Sequence, residues 1–293
     1  MSALGTQTCY RHPDRETGVS CSSCGNPICP DCMTPTPVGM RCPDCSKQRT
    51  EVRTARNLTA DPTLTFTLIG INVIVFLAEM FGGTGLQAGG SVFNEGALLG
   101  ALQLDSGLVL PAGVSDGEWY RIVTGGFLHA GLLHVGFNMY MLYYLGSMME
   151  PAIGKLRFGA LYFTSLLGGS LGVMLLSPFS PTVGASGAVF GLIGAAVVAE
   201  RSQGIGIMQS GLGMLLVINL VITFVSPNIS IGGHLGGLAF GAAAGYLLLV
   251  WAPRQGSKQM SNVALGIVIG MGVAAAIGCI WAAEYALRNG ALL

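Results

Sequence analysis

Ser186 stands in the run Gly-Ala-Ser-Gly, residues 184–187, at the head of a segment that otherwise reads as lipid-soluble helix. A serine hydroxyl becomes nucleophilic only beside a base, and a neutral imidazole, with an ordinary pKa near 6.5, suits that task near neutral pH. Imidazoles occur near the start of two other apolar segments. His234 lies in SIGGHLGGLAFG, and His134 lies in FLHAGLLHVGFNM, followed four residues later by Asn138. That spacing puts His134 and Asn138 on one helix face, so they can address one point. An asparagine NH2, an imidazole N–H and the serine's own backbone N–H could together donate to a developing oxyanion. The chemistry open to this set is acyl transfer by a serine–histidine dyad. Acidic residues are scarce at this depth and Glu118 is the nearest in sequence, so no carboxylate is expected behind the imidazole. Phe190, one turn beyond Ser186, is the candidate to stack on the imidazole and orient it, while His129 is expected to point elsewhere. A lone serine in a membrane helix is more often bonded to its own backbone. The coincidence of a serine, two histidines and an asparagine at one depth argues for chemistry.

A second set lies near the N-terminus, where seven of the eight cysteines fall between Cys9 and Cys45. The ligand types come in pairs with two-residue gaps: Cys9 and His12, Cys21 and Cys24, Cys29 and Cys32, Cys42 and Cys45. One tight turn can supply two donors at that gap, and zinc takes four tetrahedral sulfur or nitrogen donors, so the eight residues suit two zinc ions. Only four residues separate the second and third pairs, which favours a cross-braced grouping of first with third and second with fourth; sequential grouping is the alternative. A disulfide framework fits less well with the histidine, the regular gaps and an N-terminus without an apolar leader region. The block resembles a B-box-like or RING-like zinc finger. All positions are filled by protein, so the metal's expected role is structural, with none required for catalysis.

The elements that must position Ser186 and the histidines are membrane helices. Of 293 residues 51% are hydrophobic and 10% charged, and formal net charge is zero, which gives no reason to expect a nucleic-acid partner. Apolar stretches of spanning length run over residues 64–81, 127–149, 158–176, 183–199, 205–225, 231–251 and 263–283. Seven helices are expected. Lys47, Arg49, Arg53, Arg56, Lys155, Arg157, Arg201, Arg254 and Lys258 then fall on one side, against Arg121 and Arg288 on the other, which places the N-terminus inside and the C-terminus outside. By that alternation Ser186, His234, His134 and Asn138 share the outer half of the membrane. The connection from Gly82 to about Gly126 is glycine-rich yet interleaved with apolar runs, and is expected to lie in the membrane interface. Glycines four apart, Gly168 and Gly172, Gly187 and Gly191, and Gly237, Gly241 and Gly245, predict close helix packing, with the fourth and sixth helices against each other.

At these residues the chain resembles the rhomboid family of intramembrane serine proteases, over about residues 64–283. GASG is similar to that family's G-x-S-G motif, HAGLLHVGFN to its histidine and asparagine helix, EWYRIVT to its W-x-R loop signature, and GGHLGGLAFG supplies the remaining histidine. The resemblance implies an all-α polytopic fold, a six-helix core plus a seventh helix, with a cavity open to the outer face. It implies Ser186 as nucleophile, His234 as base, and His134 and Asn138 with the Ser186 amide as the oxyanion site. Substrates would be single-span membrane proteins, cut where the helix unwinds near its outer end. Trp119 and Arg121 are assigned to loop structure.

The expected organisation is a zinc-binding module at 1–46, a basic juxtamembrane linker at 47–63, the protease domain at 64–283 and a tail at 284–293. The expected setting is the lipid bilayer of a bacterial plasma membrane, with the N-terminus cytoplasmic and the zinc module offering a surface to a cytosolic protein. The alternative function is a non-proteolytic rhomboid-like protein that binds transmembrane helices and uses the zinc module as adaptor. No evident inverted repeat supports a transporter, and no H-E-x-x-H supports a metalloprotease.

Overall fold

The computed structural model describes residues 7–36, 39–47, 61–82, 90–209 and 211–290, so Arg49, Arg53 and Arg56 of the basic linker lie outside the described residues. The chain divides into two compact units, Met1–Leu58 and Thr59–Leu293.

The first unit is built from two antiparallel ribbons, β1 (Gln7–Cys9) with β2 (His12–Thr17), and β3 (Thr34–Thr36) with β4 (Gly39–Arg41), followed by one helical turn at Pro43–Ser46. The first ribbon's turn presents Cys9 and His12, and helical turns at Pro30–Cys32 and Pro43–Ser46 hold the pairs Cys29 and Cys32, and Cys42 and Cys45. The buried hydrophobic cluster of this unit consists of Cys9, Cys21, Ile28, Cys29, Cys32, Cys42 and Cys45. Apart from Ile28, that core is the metal-ligand set itself. A unit this small buries too little apolar surface to stand alone, and metal binding is the usual remedy.

The second unit is helical. Its long elements among the described residues are α1 (Thr63–Gly82), α2 (Leu132–Ile153), α3 (Lys155–Leu176), α4 (Ser186–Ser202), α5 (Gly211–Val225), α6 (Ile231–Gly245) and α7 (Lys258–Asn289). The α6 helix continues as a π-helical segment, Tyr246–Trp251. Four spans, Thr63–Phe81, Lys155–Leu176, Ile231–Arg254 and Lys258–Asn289, are long and apolar enough to cross a membrane. The other three depart from that pattern for physical reasons. Helix α2 has the length but carries His134, Asn138 and Glu150. At 17 residues α4 reaches about 26 Å, and ten of its residues, Ala188 through Val197, are buried in protein and so need not meet lipid. Helix α5 is apolar but only 15 residues long.

Boundaries shift in ways that matter for the site. Helix α2 begins at Leu132, so His129 precedes it, and α4 begins at Ser186 itself. Helix α7 runs through most of the expected tail, to Asn289.

The glycine ridges meet where they were expected to meet, and α3 joins them. A methyl group added at Gly237 would overlap the Gly187 carbonyl, and one at Gly241 would overlap the Gly191 backbone, so α6 lies backbone to backbone on α4. Across α6, a methyl at Gly172 would overlap the Gly232 carbonyl, and one at Gly236 the Gly168 carbonyl. Only glycine permits such approach, and van der Waals contact between helices replaces the hydrophobic drive that lipid does not supply. Helix α4 therefore sits at the centre of the bundle with α6 tight against it.

Helices α1 and α2 are clamped antiparallel at both ends. The Glu150 carboxylate, 1% exposed, accepts from the Leu64 and Thr65 amides at 2.9 and 2.7 Å and from the Thr65 hydroxyl at 2.8 Å, serving first-turn N–H groups that have no intrahelical acceptor. At the opposite end the buried Glu79 carboxylate accepts from the His129 amide at 3.1 Å.

Between α1 and α2 the described part of the connection has a fold of its own. It holds a short helix at Gly90–Gly96, a ribbon of β5 (Leu102–Gln103) and β6 (Val109–Leu110), and a helical turn at Arg121–Thr124. Arg121 holds it together: its guanidinium donates to Glu118 at 2.6 Å, to the Asn94 carbonyl at 2.7 Å and to the Ala97 carbonyl at 2.9 Å. Leu102, Leu104, Leu108, Leu110, Trp119 and Tyr120 are exposed on this segment, a composition suited to the membrane interface.

Candidate active site and metal clusters

Ser186 is the first residue of α4, so its backbone N–H is one of the first-turn donors without an intrahelical acceptor. The residue before the turn is set by Gly184, at φ +130°, whose N–H donates to the Gly125 carbonyl at 2.9 Å. A Cβ at Gly184 would lie 2.8 Å from His134 Nε2 and 3.5 Å from Ser186 Oγ, so the glycine is the floor on which the serine and this histidine converge.

His134 sits in the first turn of α2, and its Nδ1 accepts from the Ala130 amide at 3.3 Å. An amide N–H can only donate, so Nδ1 is the acceptor nitrogen of the neutral ring and Nε2 carries the proton. That N–H faces the Gly184 and Ser186 side. Asn138, one turn along, is buried, and one of its amide protons goes to the His134 carbonyl at 3.0 Å, which leaves the other toward the cavity.

His234 is in the first turn of α6, 8% exposed, and Phe190 of α4 stacks on it with ring centroids 4.0 Å apart and planes 21° apart. The expected aromatic contact is therefore in place. Its other neighbour was not foreseen: Thr223 Oγ1 of α5 lies 2.6 Å from His234 Nδ1. A threonine eleven residues before a histidine, on a different helix, carries no local signal; only an explicit search for polar residues near the end of α5 would have raised it.

Ser186, His134, Asn138 and His234 all line one cavity of about 1180 Å³. The structure thus brings the four sequence-predicted residues to one space. His129 is not among the residues that line the cavity, as expected, although its ring, preceding the helix, packs edge-on against His134 with centroids 5.0 Å apart. A carboxylate does lie in this region, Glu79, but it serves the His129 amide, and among the described residues none is bonded to His234.

In the N-terminal unit two groups of four donors form. Cys9, His12, Cys29 and Cys32 make one, and Cys21, Cys24, Cys42 and Cys45 the other, with all ligand atoms of each group within 4.8 Å of one another. First pairs with third and second with fourth, the cross-braced grouping. His12 Nδ1 lies 3.3, 3.4 and 3.8 Å from the sulfurs of Cys29, Cys32 and Cys9. Cys24 and Cys42 sulfurs are 3.8 Å apart. The edge of a tetrahedron around a metal with bonds of about 2.3 Å to sulfur is about 3.8 Å, so the donors fit a tetrahedral metal ion. The Cys24 and Cys42 amides, with further backbone N–H groups, lower the Cys21 thiol to about 6. Hydrogen bonding with its neighbours Cys42 and Cys24, together with burial, holds the Cys45 thiol up at about 12. Tyr10 donates to Asp44 at 2.6 Å, tying the first ribbon to the last turn.

The fold and site define a polytopic helical membrane protein that gathers a serine at a helix start, two histidines and an asparagine around one cavity. A profile of the rhomboid domain matches residues 116–251, which contain all four of those residues. Rhomboid protease GluP of Bacillus subtilis is 30% identical over 223 residues, covering 75% of this chain and 41% of GluP. The rhomboid-family protein YdcA of Bacillus subtilis is 36% identical over 140 residues, covering 46% of this chain and 68% of YdcA. RHOMBOID-like protein 6, mitochondrial, of Arabidopsis thaliana is 36% identical over 155 residues, half the length of each. The chain belongs to the rhomboid family. It spans less than half of GluP and about half of the plant protein.

Proposed function

We propose that the chain is an intramembrane serine endopeptidase that cleaves single-span membrane proteins with a Ser186–His234 dyad. The observation that supports this best is the contact of Phe190 with His234: Phe190 lies one turn from Ser186 on α4, so stacking on it sets the His234 ring beside the serine's turn. The Ser186 hydroxyl attacks the scissile carbonyl carbon as His234 takes its proton. The oxyanion receives donors from the Ser186 amide, the His134 Nε2–H and the Asn138 NH2, at a helix N-terminus whose dipole favours negative charge. His234 then returns the proton to the leaving amine, and water repeats the cycle on the acyl-enzyme. Water reaches these groups through the cavity that they line.

The positive charges of Lys155, Arg157, Arg201, Arg254 and Lys258 fall at the ends of α2 through α7 opposite to the site, so we place the site toward the outer face. Zinc is the metal proposed for both N-terminal groups, as a structural ion with no part in catalysis. The module is proposed to recruit a cytosolic partner or substrate tail; Cys21→Ser with Cys24→Ser should lower partner recovery from cells.

The test is cleavage of tagged single-span substrates by purified protein in liposomes, with a fluorophosphonate probe in parallel. Cleavage and labelling are expected to vanish in Ser186→Ala, and cleavage in His234→Ala. A folded Ser186→Ala protein that still cleaves refutes the proposal.

A further inference from the structure

We infer that Thr223 is a positioning residue that fixes the tautomer of His234, standing where a triad would place a carboxylate. This rests on the Ser186–His234 reading above. Thr223 is 1% exposed and has two close polar neighbours: the Asn219 carbonyl, one turn back on α5, at 2.7 Å, and His234 Nδ1 at 2.6 Å. A threonine hydroxyl has one proton and two lone pairs. A carbonyl oxygen can only accept, so two oxygens at that distance without a proton between them would set lone pair against lone pair. The imidazole, by contrast, can place its proton on either nitrogen at little cost. The arrangement that satisfies both contacts sends the Thr223 proton to Asn219 and leaves a lone pair facing Nδ1, which must then carry the N–H.

The consequence for the reaction is direct. With the proton on Nδ1, the neutral ring presents an unprotonated Nε2, the form a general base needs. With the opposite tautomer Nε2 would already hold a proton and could not accept one from Ser186. When His234 takes the serine proton both ring nitrogens are donors, and the Nδ1–H keeps the Thr223 acceptor. Phe190 holds the ring plane, and Thr223 sets its rotation within that plane and the side on which the lone pair lies. The residue also has a particular place on its helix. The buried residues of α5 are Leu212 and Gly213 at its start and Thr223 near its end, so the threonine is the inward contact of that end.

The test compares Thr223→Val, which keeps the shape and removes the hydroxyl, and Thr223→Ser, which keeps it, with wild type, Ser186→Ala and His234→Ala in the liposome assay. Thr223→Val is expected to lower kcat by at least about tenfold with KM within about twofold, and to slow fluorophosphonate labelling in parallel. Thr223→Ser should stay within about threefold of wild type. In 15N spectra of histidine-labelled wild type, His234 should be protonated at Nδ1, and Thr223→Val should mix the tautomers. If Thr223→Val keeps wild-type kcat while Ser186→Ala and His234→Ala are inactive, the positioning role is wrong and the dyad stands. If the two dyad variants still cleave, the dyad reading fails and this inference falls with it. Should the valine variant not fold, the wild-type spectrum decides: His234 protonated at Nε2 overturns the inference.

Discussion

Replacing Gly184 by alanine should disable the site while leaving the bundle standing. The backbone at φ +130° is one that residues with a Cβ rarely adopt, at a cost on the order of 1–3 kcal/mol. The new methyl would also meet His134 Nε2 at 2.8 Å and Cε1 at 2.9 Å. Contact is comfortable from about 3.5 Å, so the ring must withdraw by roughly 0.7 Å. A hydrogen bond of about 2.9 Å from Nε2 to the oxyanion would stretch to about 3.6 Å, beyond useful length. Losing one such donor costs about 10²–10³ in kcat. The expected result is a fall of that size in cleavage of a tagged single-span substrate in liposomes, with KM little changed and thermal unfolding lowered only by the strain. Gly136 is the control, because nothing lies within 4 Å of a Cβ there; Gly136→Ala should be neutral or slightly stabilising. A folded Gly184→Ala protein that cleaves within about threefold of wild type would refute the placement of His134 against the oxyanion.

Glu150→Ala removes the buried acceptor for two first-turn amides and a hydroxyl of α1 and should cost about 2–4 kcal/mol of stability, read as a lowered unfolding midpoint in detergent. Glu150→Gln, which keeps an acceptor oxygen, should lose about half as much. Metal analysis of purified protein should find two zinc ions per chain, and a strong chelator should make the N-terminal unit sensitive to limited proteolysis while the membrane unit stays protected; one ion per chain, or a unit that resists protease after stripping, would contradict the paired clusters.

The chemistry-bearing residues were legible in the chain because membrane helices punish polar side chains. Ser186, His234, His134 and Asn138 stand out against apolar runs, and the spacing of Phe190 from Ser186 and of Asn138 from His134 already implies shared helix faces. The glycine ridges announce themselves for the same reason, since a four-residue repeat of small residues has one packing use in lipid. Paired ligands at two-residue gaps likewise mark the N-terminal unit.

What tertiary structure decided is who meets whom across long separations. The apolar stretches begin at Phe127 and Val183, yet α2 waits until Leu132 and α4 begins on Ser186 itself, and this turns the Ser186 amide into a free donor and folds His129 back onto His134. Nothing in the sequence pairs Glu79 with His129 or Glu150 with Thr65, whereas the cross-braced grouping of the cysteines that their spacing favoured is the one the structure forms. The Thr223 contact is the clearest case. A threonine bonded to its own helix is ordinary, and only the approach of α6, allowed by glycines that let three backbones touch, brings His234 within 2.6 Å of its free lone pair. Side-chain type and periodicity are local properties that a chain states outright, whereas a hydrogen bond between helices depends on rotations and offsets that only the packed bundle sets.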